Sequence, residues 1–140
     1  SAMDNRFIGK MGPEGEEARE WLFYASEDLV YGKLGQAELP RAAAWSFQQS
    51  SEKALKALWL RAYREIPRTH DVVFLLSQLS DTFQVPERIR DAVLQLAQIT
   101  PAIRYPGDDQ VAITVEEAME YAAAASEVYD WAFQIHETLD

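Results

Sequence analysis

The chain of 140 residues contains no cysteine. That removes disulfides, thiolate nucleophiles and cysteine-ligated metals together, and it suits a reducing, cytoplasmic setting. Histidine is scarce as well, with two in the chain. Neither His70 nor His136 has a glutamate three residues before it, because those positions hold Pro67 and Phe133. The Glu-x-x-His ligands of a di-iron bundle are therefore absent. The His70-Asp71 pair also lacks the additional histidines that metal phosphohydrolase sites use. No metal and no cofactor is expected. No apolar run approaches the roughly 20 residues that cross a bilayer, and no charged-then-apolar leader opens the sequence, so neither a membrane span nor a secretory signal is expected. There is no Gly-x-Ser-x-Gly nucleophile elbow and no glycine-rich phosphate loop of the Walker or dinucleotide type. Basic residues are in deficit: 13 Lys and Arg stand against 23 Asp and Glu, for a formal net charge of -10. A polyanion must therefore find a local basic patch on this protein, not a basic surface.

The chain does have material for a core. It is 48% hydrophobic and 11% aromatic, and a chain of this size buries roughly two-thirds of its unfolded surface in one domain. Residues 1–13 read as a flexible tail that includes cloning residues, Ser1-Ala2 ahead of Met3. Glycines and Pro13 favour loop there. Residues 14–140 read as a single helical bundle.

Helix 1 is expected from Glu14 to about Leu34, with acids in its first turn to suit the helix dipole. Helix 2 begins at Pro40, where a missing N–H costs nothing, and runs to about Ile66 before Pro67. At 100° per residue, Ala44, Phe47, Ser51, Ala54, Leu55, Leu58 and Ala62 share one arc about 100° wide, a core-facing stripe. Gln49, Lys53, Lys56 and Arg64 share another arc, about 80° wide. It is polar and mostly basic on an otherwise acidic protein. Thr69 is expected to cap helix 3, which ends near Leu79. Pro86 opens helix 4, and residues 101–113 read as a loop. Thr114 and Glu117 form a capping box for the last helix, whose predicted buried stripe is Ala118, Ala122, Ala125, Tyr129, Ala132 and Phe133. No alternating pattern supports a strand. The expected fold is all-α, an antiparallel up-and-down bundle of four or five helices.

Phosphate-compatible groups remain once these elements are assigned. They are Gln49, Lys53, Lys56 and Arg64 on helix 2, His70 at the start of helix 3, and Arg104-Tyr105 after helix 4. Arg grips phosphate bidentately and Lys acts as a point charge. A helix start offers free N–H groups to an anion, and Tyr105 can stack on a base. The plainer readings of the same residues are a solvated face for the basic stripe, a structural hydrogen bond for His70 and a carboxylate pairing for Arg104.

The order of these features resembles the HEPN domain family. Trp21 to Asp28-Leu29 matches an aromatic-rich first helix ending in Asp-Leu. Phe47, Gln48, Gln49, Glu52, Lys53, Ala54, Leu55, Lys56 and Ala57 match the second-helix signature. Thr69-His70-Asp71 and Arg104-Tyr105-Pro106 match two turns, and Glu116-Glu117 an acidic start to the closing helix. The resemblance covers about 20–135. It implies a helical bundle, a homodimer, and pairing with a minimal nucleotidyltransferase in a toxin–antitoxin or defence system. The implied function is a binding module for a nucleotide, RNA or that partner protein.

Some HEPN members are metal-independent endoribonucleases with an Arg-x(4–6)-His motif, in which Arg stabilises the phosphorane charge and His moves a proton. Arg64 and His70 have that spacing. However, Pro67 breaks the helix between them, and the family's motif belongs to a later helix. Binding is therefore expected ahead of cleavage, with an endoribonuclease toxin as the alternative and a dimeric interaction scaffold as the second.

Overall fold

The computed structural model describes residues 12–107 and 112–139. They form five α-helices, α1 (Pro13–Gly35), α2 (Pro40–Tyr63), α3 (Val72–Leu79), α4 (Glu87–Leu96) and α5 (Val115–Thr138), with a 3₁₀ turn at Pro101–Arg104. No strand occurs among the described residues. The predicted tail up to Met11, and Asp108-Asp109 of the predicted loop, lie outside them.

The centre of the bundle is α2, which packs against α1, α3, α4, α5 and the 3₁₀ turn. Its pairing with α1 is antiparallel: Gly32 meets Phe47, Asp28 meets Lys53, Ala25 meets Ser50, and Glu14 meets Arg64. The seam is close because small residues line it. A Cβ on Gly32 would lie 2.5 Å from Phe47 Cε1, so only glycine permits this approach. Ser50 Oγ donates to the Ala25 carbonyl across it at 2.8 Å. All of the predicted α2 core stripe is buried except Ala62, which is half-buried.

Three local details differ from the sequence expectation. First, α2 ends at Tyr63, not near Ile66, because Arg64 turns into the left-handed region at φ 61° while its N–H still reaches the Leu60 carbonyl. The chain thus leaves the helix before the residue that Pro67 disfavours there. Second, α3 is capped by Asp71 and not by Thr69. Asp71 Oδ1 accepts from the N–H groups of Val73 and Phe74, and Thr69 Oγ1 accepts from Asp71 N–H. Third, Phe133 is exposed and stacks on Tyr129, while Val128, Trp131 and His136 are buried. The buried face of α5 is wider than one stripe because α1, α2 and α4 all cover it. The capping box of Thr114 and Glu117 forms as expected. Among the described residues no helix is long and apolar enough to cross a membrane.

Candidate functional site

On the side of α2 away from α1, the helix carries polar groups at the spacing that normally holds core residues. Gln48, Glu52 and Lys56 recur every four positions, so they share a face. All three are buried. Short α3 and the 3₁₀ turn cover this face incompletely, and a cleft of about 520 Å³ stays open. That volume falls within the roughly 300–1,000 Å³ of small-molecule sites. Trp45, Gln48, Gln49 and Glu52 line it from α2, His70 and Asp71 from the α3 cap, and Thr100, Pro101 and Arg104 from the segment after α4.

Glu52 organises its floor. Its Oε2 lies 3.0 Å from Lys56 Nζ and 2.7 Å from His70 Nδ1. Both Glu52 and Lys56 side chains are nearly dry, at 7% and 6% exposure, whereas the His70 side chain is 77% exposed. A buried ion pair of this kind contributes little net stability over an apolar pair, because desolvation offsets attraction. Oε1 of the same carboxylate is buried with no hydrogen-bond partner. Buried polar atoms are normally paired, so the floor retains one unmet acceptor. A carboxylate that accepts from His70 requires the proton on Nδ1, which directs the acceptor position of a neutral ring to Nε2.

The opposite wall is cationic and aromatic. The Arg104 guanidinium lies over the Trp45 ring, 4.5 Å from its centroid, and 5.4 Å from that of Tyr105. Arg104 Nε donates to the Pro101 carbonyl at 3.4 Å, which orients the fork. Next to Trp45, Gln49 Nε2 donates to Gln48 Oε1 at 2.9 Å.

Of the residues singled out from sequence, Gln49, His70 and Arg104 meet in this cleft. Tyr105 stands beside Arg104 and is exposed. Lys56 lies beneath the cleft as Glu52's ion-pair partner. The remaining two reach α1: Lys53 pairs with Asp28 at 2.5 Å, and Arg64 approaches Glu14 at 3.8 Å. The basic stripe is therefore divided, since an arc about 80° wide spans two different neighbours of α2. Trp45, Gln48, Glu52 and Asp71 were not singled out as site residues. The available signal was the Gln48–Glu52–Lys56 series at four-residue spacing, beside the apolar stripe and too polar for core. Among the described residues, no three His, Asp or Glu side chains group to hold a metal.

The HEPN domain family model matches residues 18–136 of the chain. Comparison with curated proteins gives no match. Among solved structures, the chain is similar to TT1696 from Thermus thermophilus. The identity is 27% and the TM-score 0.75, over 84% of this chain and 97% of that one. It is similar in fold to ST0689, an archaeal HEPN homologue, at 24% identity and a TM-score of 0.67, over 85% of this chain and 97% of that one. A HEPN domain protein from Thermotoga maritima is 23% identical with a TM-score of 0.59, over 91% of this chain and 100% of that one.

Proposed function

The chain belongs to the HEPN domain family, and from that premise we propose that it is a binding module whose cleft between α2, α3 and the 3₁₀ turn takes a nucleotide, free or within RNA. One observation carries the reading. Three separate segments bring Arg104, His70, Gln49 and the Trp45 ring to one cleft on a protein of net charge -10. Arg104 suits a phosphate, the two glutamines suit the edge of a base, and the exposed His70 suits a phosphate or a ribose hydroxyl. The homodimer and a nucleotidyltransferase partner, both implied by the family, belong to the same proposal. Phe23, Val30 and Leu34 supply exposed apolar surface on α1 for such contacts.

Calorimetric titration with ATP and with a short RNA tests the reading. Binding of either, weakened at least tenfold by Arg104→Ala with the helical content intact, is the expected result. An absence of binding to both overturns it.

A second reading, metal-independent RNA cleavage, is favoured by one contact. Glu52 holds Nδ1 of His70, which leaves Nε2 to move a proton, and Arg104 shares the cleft for phosphorane charge. Arg64 is turned toward Glu14 instead. RNA cleavage in the presence of chelator, abolished by His70→Ala, is the outcome this reading requires.

A further inference from the structure

A second cavity of about 330 Å³ lies on the other side of Trp45 and Arg104. Tyr31 of α1, Arg41, Ala42 and Ser46 of the first turns of α2, and Ile103 of the 3₁₀ turn complete its lining. The two cavities share Trp45 and Arg104 as a common wall. The second cavity differs in character from the first: its charged lining residues are Arg41 and Arg104, with no carboxylate among them. Arg41 is exposed and has no ion-pair partner among the described residues. The start of α2 adds to the positive field. It carries no acidic residue in its first turn and no side-chain cap. Pro40 has no N–H and Ala43 donates to the Leu39 carbonyl, so the N–H groups of Arg41 and Ala42 are the ones left for an anion. Tyr31 is 71% exposed and presents a stacking face.

We propose that the ligand is a single strand of RNA that places two successive nucleotides in the two cavities, with the phosphate joining them at Arg104. This rests on the nucleotide-binding reading above and adds to it a second subsite, formed by Tyr31 and Arg41. The shared wall is the deciding feature. A mononucleotide fills one cavity and leaves Tyr31 and Arg41 unused. A phosphodiester-linked pair uses Arg104 at the junction, Arg41 at the neighbouring phosphate and Tyr31 under the second base. Stacking on aromatic side chains and charge on the backbone are how single strands are held without paired readout. The outer groups are accessible, so the strand can continue past both cavities.

Affinity is measured at one fixed salt concentration for AMP and UMP, for the 5′-phosphorylated dinucleotides pApA and pUpU, and for the 5′–5′ pyrophosphate dinucleotide NAD. The expected result is that the 3′–5′ dinucleotides bind about tenfold more tightly than the monophosphates, the effect of stacking one more base. The double variant Tyr31→Ala/Arg41→Ala brings that ratio close to one, and the single reversal Arg41→Glu does so with fewer changes to the fold. Monophosphates that bind as tightly as dinucleotides overturn the two-cavity assignment. Dinucleotide affinity that ignores both variants overturns it as well. NAD bound more tightly than pApA would replace the strand by a pyrophosphate-linked dinucleotide. If nothing binds to the unaltered protein, the nucleotide-binding reading itself fails, which is a separate result.

Discussion

The two long sides of α2 are built on opposite principles. Toward α1, Gly32 lets the Phe47 ring approach the backbone, Ser50 gives its hydroxyl proton to the Ala25 carbonyl, and Lys53 and Asp28 neutralise each other at the edge. Toward α3 and the 3₁₀ turn, a carboxylate and an ammonium are buried as a pair, one carboxylate oxygen stays unpartnered, and a cavity is left open. The first side gains packing and leaves little unsatisfied. The second carries buried polar groups that packing alone would not select. A helix that is amphipathic in the ordinary sense would be apolar on both buried sides. The departure on one side is the observation on which the proposed site rests.

Four single substitutions and one double variant probe this contrast. The largest effect is expected for Lys56→Met, which leaves the Glu52 carboxylate buried beside no ammonium and costs about 3–5 kcal/mol. Adding Glu52→Met should recover most of that loss in chemical denaturation while abolishing nucleotide binding. A double variant as unstable as the single would show that the pair is structural after all. Gly32→Ala acts on the other side. Its clash with Phe47 exceeds the helix-propensity gain, for a net loss of about 1–2 kcal/mol. Nucleotide affinity should not change, and an altered affinity would mean that the two sides are coupled.

His70→Ala removes one hydrogen bond to the buried Glu52 carboxylate from a side chain that is mostly in water, and a stability loss of about 0.5–1.5 kcal/mol is expected. The same variant should weaken nucleotide binding about tenfold by calorimetry, and a silent His70→Ala would remove His70 from the site. Lys53→Ala removes a partly exposed pair and should lower stability by about 0.2–1 kcal/mol, with ligand binding intact. A lost affinity there would return Lys53 to the binding surface.

Much of this was legible in the sequence for physical reasons that act locally. Pro40 opens α2 because its lost N–H is one that a helix start never uses, whereas Pro13, read from sequence as loop, in fact begins α1. Thr114 and Glu117 satisfy each other's backbone within one turn. The apolar stripe of α2 follows from helical periodicity, and the buried residues confirm it apart from half-buried Ala62. The exchange of caps between Thr69 and Asp71 was less legible, because both side chains can accept and the choice depends on where the chain turns after Pro67.

The sequence by itself determined that the fold is all-α, that α2 carries a core stripe, and that Gln49, His70 and Arg104 were worth singling out. Helical spacing and capping chemistry are short-range, so they survive in one dimension. Only the tertiary structure decided which charges act together. Lys53 and Lys56 stand three positions apart, about 60° around the helix, yet one meets Asp28 of α1 and the other meets Glu52 beneath the cleft. His70 and Arg104 stand on different elements and line one wall-to-wall space. That difference is set by which helix lies against each side of α2, and packing between distant segments is the part that no local pattern encodes.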